Sequence, residues 1–150
     1  MKHPYLLIAV TSLALFAGAS PVSASGAPSV LKAPVVNEKF TLLPCSQAST
    51  IGMEGCAEAQ TLVIDRQING LAKTIFGRLP GRADQLRFIK SEKAWLSYRR
   101  ASCASRSDTY AGGSEASVVF AQCLVALGQL QATNLGQFVA TFPGGNEPPS

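Results

Sequence analysis

Histidine is almost absent from this chain: His3 is the only one among 150 residues, and it lies in a segment that we expect to be removed. Without histidine, no Ser-His-Asp or Cys-His arrangement can form. The four cysteines are spaced 11, 47 and 20 residues apart, so they contain no Cys-x-x-Cys pair. Zinc sites and thiol redox sites usually need such a pair. The sequence therefore argues against histidine-dependent catalysis, a zinc site and redox chemistry.

Charged residues are also scarce, at 15% of the chain. The 13 basic and 9 acidic residues give a mild positive charge of +4, without the strong basic character typical of nucleic-acid binding. The acidic residues are scattered, and no long loop is available to form a substrate cleft, so paired-carboxylate hydrolysis is not indicated. We expect a protein that is not an enzyme, needs no cofactor and binds no nucleic acid.

An apolar stretch near the start predicts a signal peptide. Residues 6–17 are uncharged and apolar except for Thr11 and Ser12, and small residues up to Ala24 suit a signal peptidase, although a cut after Ala19 also fits. A membrane anchor needs roughly 20 apolar residues, whereas this stretch is interrupted from Gly18 onward. We predict removal of residues 1–24, which makes the mature protein periplasmic or secreted and not membrane-spanning.

The chain has four cysteines, Cys45, Cys56, Cys103 and Cys123. An even number in an oxidising compartment indicates two disulfides. Three pairings are possible, and we favour the nearest neighbours, Cys45 with Cys56 and Cys103 with Cys123, because these loops are short.

Apolar residues repeat with the helical period in three segments. In the first they are Ile64, Ile68, Leu71, Ile75 and Leu79. We expect this helix to begin at an N-cap on Thr50 and to end before Pro80-Gly81. A second helix is expected from residue 83 or 84 to about 103, then a loop over 105–114 and a third helix over about 115–140.

These segments predict an all-α fold, a small antiparallel three-helix bundle cross-linked by two disulfides. Such a bundle gathers all four cysteines at one end. We expect the helical domain to span residues 45–140. Residues 25–44 contain three prolines and few helix signals, which predicts a flexible lead-in, and the Gly/Pro-rich residues 141–150 predict a disordered tail.

Several polar residues fall on the inner faces of the predicted helices. At 100° per residue, Glu92 and Arg99 project on the same side as Trp95. A buried guanidinium needs a partner, so we predict that Arg99 meets Asp65 or another carboxylate across the bundle. The candidate network comprises Asp65, Asn69, Glu92, Trp95, Arg99 and Gln131. We favour a structural role over a ligand site, because buried ionic groups need partners in any protein.

The opposite face of the second helix carries positive charge. Lys90, Lys93, Ser97 and Arg100 recur at steps of three, four and three residues. A solvated helix face is the simpler interpretation. If this face binds a partner, that partner should be anionic, such as an acidic protein surface.

Short motifs extend from Cys45 to about Phe138. They are Cys45, Thr50-x-x-Met53-Glu54-x-Cys56-Ala57, Asp65-x-x-Ile68-Asn69, Trp95-x-x-Tyr98-Arg99-x-Ala101-x-Cys103, Gly112-Gly113-Ser114, Cys123-Leu124 and Leu135. Together they resemble the LprI-like lysozyme-inhibitor domain family of small exported bacterial proteins. The resemblance implies an exported helical protein that inhibits lysozyme.

The chain departs from the family pattern at four positions. Glu92 stands where Gln is usual, Arg100 where Asp is usual, Ala72 where Tyr is common and Gln131 where Arg is common. Seven residues place Glu92 and Arg99 about 10 Å apart along the helix axis, so we expect no direct bridge between them.

The resemblance and the basic face of the second helix indicate two different classes of partner. The first is lysozyme, bound as a stoichiometric protein complex. Many lysozymes are strongly basic, and like charges slow association, which counts against inhibition through the basic helix face. An uncharged loop could still enter the cleft of the enzyme. Its candidate residues are Tyr110, Gly112, Gly113 and Ser114. The second class is an anionic envelope component, bound by Lys90, Lys93 and Arg100 without lysozyme inhibition.

Overall fold

The computed structural model describes residues 30–41 and 43–142, so the predicted signal peptide and most of the predicted tail lie outside the described residues. Within these residues the chain forms three α-helices and no strand. Helix α1 spans Thr50–Arg78, α2 spans Arg82–Asp108 and α3 spans Glu115–Thr141. The predicted all-α fold is confirmed.

The start of α1 differs by one residue from the prediction. Ser49, and not Thr50, is the N-cap, and its hydroxyl oxygen accepts a hydrogen bond of 3.1 Å from the backbone N–H of Gly52. Ser49 has extended backbone angles and Thr50 is already helical. Both residue types are good N-caps, so the local sequence alone does not distinguish them.

Helix α2 extends further than predicted, to Asp108. The Ser107 hydroxyl in its last turn donates a 2.8 Å hydrogen bond to the carbonyl of Ala116 in α3. This contact links the last turn of α2 to α3 within the stretch expected to be a loop. The connection therefore shrinks to residues 109–114, where Gly112 has a φ of +87°, a backbone region that favours glycine.

The helices run up, down and up. Near the start of α1, Glu54 accepts a 2.7 Å hydrogen bond from Ser117, near the start of α3. At their other ends, Arg78 donates to the carbonyl of Val139 at 3.3 Å. Helices α1 and α3 are therefore parallel, and α2 runs antiparallel to both. The start of α1, the end of α2 and the start of α3 meet at what we call the disulfide end.

Helix α3 packs closely against both other helices. The main core cluster consists of Val36, Ile64, Ile68, Ala72, Ile75, Phe88, Ala132 and Leu135. Among the described residues, α3 has the length and composition of a membrane-spanning helix, but half of its apolar window is buried inside the bundle. Glu115 is the only charged residue in this helix, which suits the core helix of a bundle.

Both predicted disulfides are confirmed, with the favoured pairing. Cys45 bonds to Cys56 with a Cα–Cα distance of 4.3 Å, and Cys103 of α2 bonds to Cys123 of α3 at 5.4 Å. The first bond holds the chain before α1 against the helix itself. That close approach needs a glycine, since a Cβ on Gly55 would lie 2.8 Å from the carbonyl oxygen of Pro44.

The described part of the lead-in packs against the bundle, which differs from the flexible segment that we expected. Val36 is buried, and its backbone N–H and carbonyl bond to the Asn69 amide at 2.7 and 2.8 Å. Further along, Glu38 forms an ion pair with Arg100 of α2. The lead-in thus connects α1 to α2 through backbone hydrogen bonds and one ion pair, contacts that leave no periodic pattern in the sequence.

Candidate functional site

Arg99 lies at the centre of the bundle and is 0% exposed. Its Nη1 donates to Asp65 Oδ1 at 2.8 Å, and its Nη2 donates to the carbonyl of Leu124 at 3.1 Å. The guanidinium carbon lies 5.4 Å from the centroid of the Trp95 ring. The predicted Arg99–Asp65 contact is therefore present, and one side chain of α2 binds both α1 and α3.

Gly128 makes room for this arginine. A Cβ there would lie 2.9 Å from Ile64 Cγ2 and 3.4 Å from Arg99 Nη2. The missing side chain lets α1 and α3 approach each other and leaves space for the guanidinium between them. Our sequence analysis did not identify Gly128. The available signal was a glycine on the apolar stripe of α3, between Leu124 and Gln131, because a glycine at such a position often marks a close contact between helices.

Glu92 and Gln131 form a second, separate buried pair. Gln131 Nε2 donates to both carboxylate oxygens of Glu92, at 2.9 and 3.1 Å. Burial raises the pKa of Glu92 above its ordinary value, and the hydrogen bond from Gln131 offsets this only in part. Glu92 of α2 therefore pairs with Gln131 of α3. It forms no ion pair with Arg99, in agreement with the separation of these two residues along the axis of α2.

Two effects oppose each other at Asp65. Burial raises its pKa, and the neighbouring Arg99 lowers it through its charge and its hydrogen bond. The six predicted network residues thus form three separate contacts: the Arg99 cluster with Asp65 and Trp95, the Glu92–Gln131 pair, and Asn69 with the lead-in. Each contact joins parts of the fold, so these residues connect the helices and the lead-in to one another.

The outward face of α2 is less positive than its sequence indicates. Arg100 is 68% exposed at its side chain, but its Nη2 lies 2.9 Å from Glu38 Oε2. Sequence analysis missed Glu38, because it belongs to a segment expected to be flexible. Lys90 and Lys93 remain exposed on this face, so two of the three candidate cations are left for an anionic partner.

The connection between α2 and α3 is a compact turn. Tyr110 is 46% exposed, and its carbonyl accepts a 3.0 Å hydrogen bond from the N–H of Gly113. Gly112 supplies the positive φ that the turn requires, and Ser114 directly precedes α3. The four candidate loop residues therefore lie together at the disulfide end, on an ordered turn with an exposed aromatic ring.

The sequence was also compared with known proteins. Residues 45–135 match the model of the family described as Lysozyme inhibitor LprI. Neither the curated proteins nor the solved structures contain a match. The family match covers more than half of the chain and includes both disulfides, the Arg99–Asp65 pair and the turn of residues 109–114. The chain therefore belongs to the LprI lysozyme-inhibitor family.

Proposed function

We propose that this protein is exported and inhibits lysozyme by forming a stoichiometric protein complex, without catalysis. The observation that carries the proposal is the family match over residues 45–135. Two disulfides favour an oxidising compartment. Together with the predicted signal peptide, they support a location in the periplasm or outside the cell.

The turn of residues 109–114 is our candidate for the contact with the enzyme. It contains no charged residue, and its flanking residues, Asp108 and Glu115, are acidic and exposed. A strongly basic lysozyme would therefore meet no like charge at this turn, although the chain as a whole is mildly basic. Tyr110 offers the type of exposed aromatic side chain that often dominates binding at protein interfaces.

Alanine substitutions in the turn test this assignment. We expect Tyr110→Ala combined with Ser114→Ala to weaken inhibition about tenfold and to leave the melting temperature unchanged, because both side chains are exposed. Tyr98→Ala is the matched control, since Tyr98 is 57% exposed in the middle of α2. Equal inhibition by the turn variant and the wild type would exclude the turn as the contact.

An anionic envelope component is the alternative partner, favoured by Lys90 and Lys93 on one exposed face. Binding through these lysines would weaken as salt increases. The test is cosedimentation with anionic lipid vesicles at two salt concentrations. Salt-sensitive binding that is lost in a Lys90→Gln, Lys93→Gln variant, without lysozyme inhibition, would favour this alternative.

A further inference from the structure

A groove opens at the disulfide end, between parts of the chain that are distant in sequence. Its volume is about 420 Å³. Its lining residues are Glu38, Lys39 and Phe40 of the lead-in, Glu58 of α1, Arg100 and Ala104 of α2, and Phe120 of α3. Phe40 and Phe120 also pack against the cluster around the Cys103–Cys123 disulfide. The apolar part of the groove is therefore packed against the part of the bundle that the Cys103–Cys123 disulfide cross-links.

Glu58 gives this groove an unused hydrogen-bond acceptor. Its Oε2 atom is buried and has no hydrogen-bond partner among the described residues. Two basic residues also line the groove: Arg100 is paired with Glu38 at 2.9 Å, and Lys39 is exposed. A buried acceptor without a partner is unfavourable, so a ligand whose donor reaches the Glu58 carboxylate would recover free energy on binding.

The environment of Glu58 favours a positively charged donor. Burial and the nearby charge of Glu54 both raise the pKa of Glu58, and a cation bound beside the carboxylate would oppose both effects. The phenyl rings of Phe40 and Phe120 suit an apolar stem or the flat face of a guanidinium. A carboxylate beside aromatic rings is thus complementary to an arginine or lysine side chain.

We propose that this groove binds a basic side chain, an arginine or a lysine, presented by the protein partner. The identity of that partner as lysozyme rests on the proposed function, whereas the chemistry of the groove does not. Phe120 lies six residues after Ser114, which is about 9 Å along the axis of α3. One partner can therefore contact the turn of residues 109–114 and place a basic side chain in the groove.

A small probe tests the groove without lysozyme. We expect N-acetyl-arginine amide, titrated into the oxidised mature protein, to shift the backbone amide NMR signals of the groove residues. Glu58→Gln keeps the size of the side chain and should abolish these shifts, while Glu115→Gln, an exposed carboxylate at the same end, should retain them. Ala104→Trp should block the groove without altering Glu58. Shifts located elsewhere, or unchanged in Glu58→Gln, would overturn the proposal.

The same variants separate the groove from the proposed function. In a lysozyme assay, Glu58→Gln should weaken inhibition about tenfold. Asp84→Asn, at a partly exposed carboxylate in the first turn of α2 at the opposite end of the bundle, should change it less than twofold. Probe binding in the groove without any lysozyme inhibition would refute the proposed function and leave the basic-side-chain site in place. If Glu58→Gln and Ala104→Trp both inhibit lysozyme as well as the wild type does, the groove is not a contact with the partner. The inhibitor function itself would then remain.

Discussion

At the scale of single residues, Glu92 has a carboxylate in an unfavourable environment. It is 4% exposed and its partner, Gln131, is neutral. Below its ordinary pKa of 4.5, Glu92 is uncharged in both the folded and the unfolded protein. As the pH rises through its raised folded pKa, ionisation is harder in the folded state, so stability is lost.

We therefore predict that Glu92→Gln stabilises the protein by on the order of 1 kcal/mol at pH 7 and has little effect below pH 4.5. Gln retains an acceptor for Gln131 and removes the buried charge. Urea denaturation between pH 4 and 7 measures the difference. A stability gain that does not grow with pH would contradict the assigned cause, and the exposed Glu115→Gln is the control.

Asp65 has the opposite role, because its partner is charged. Asp65→Asn leaves the guanidinium of Arg99 buried without a counter-ion, and we expect a loss of about 3–5 kcal/mol. Combining it with Arg99→Met removes both charges and should recover much of that loss. Denaturant unfolding of the single and double variants forms the test, and a cost below about 1 kcal/mol for Asp65→Asn would show that the pair contributes little.

The sequence predicts the Arg99–Asp65 contact but not the Glu92–Gln131 contact, for a physical reason. A buried guanidinium requires a carboxylate, and few acidic residues lie on inner faces, so the choice is narrow. A buried carboxylate accepts from any donor, and Gln131 was one of several polar candidates. Pairing there depends on the rotation of α2 against α3, which the helical period does not determine.

At the scale of elements, the approach of α1 to α3 depends on Gly128. We predict that Gly128→Ala destabilises the protein by about 1–2 kcal/mol, since the new methyl group meets a branched Ile64 side chain that cannot move away without shifting a helix. Gly136→Ala in the same helix has open space and should stabilise by about 0.5–1 kcal/mol through helix propensity. Equal effects on the melting temperature would contradict the close approach.

The attachment of the lead-in gives a second element-scale prediction. Asn69→Ala removes both hydrogen bonds to the Val36 backbone, and we expect a loss of about 1–2 kcal/mol together with faster hydrogen exchange at the Val36 amide. Asn37→Ala, at an exposed neighbouring position, is the control. Unchanged exchange at Val36 in Asn69→Ala would show that other contacts hold the segment.

Helices and the lead-in differ in how far the sequence predicts them. The ends of α1 and α3 lie within one or two residues of the prediction, because apolar periodicity and Pro80-Gly81 mark them directly. The lead-in has no periodic pattern, and a side-chain amide 33 residues away holds its backbone. This contact forms only when the bundle has folded, and no local pattern in the sequence indicates it. The helices were therefore predictable from the sequence, whereas the attachment of the lead-in to α1 was not.

At the scale of the whole molecule, the features suited to a protein partner lie at the disulfide end. Both disulfides, the turn with Tyr110 and the groove with Glu58 are found there. The sequence predicts the gathering of cysteines from the up-down-up topology. It did not predict the groove, because that site combines the lead-in with all three helices.

The most direct test of the account is a lysozyme assay on bacterial cell walls with the oxidised mature protein added. Enzymes of more than one lysozyme class should be used at two salt concentrations. The account predicts loss of lytic activity near a one-to-one ratio with at least one class, and recovery of that activity when the disulfides are reduced. No inhibition of any class by the folded, oxidised protein would contradict the proposed function.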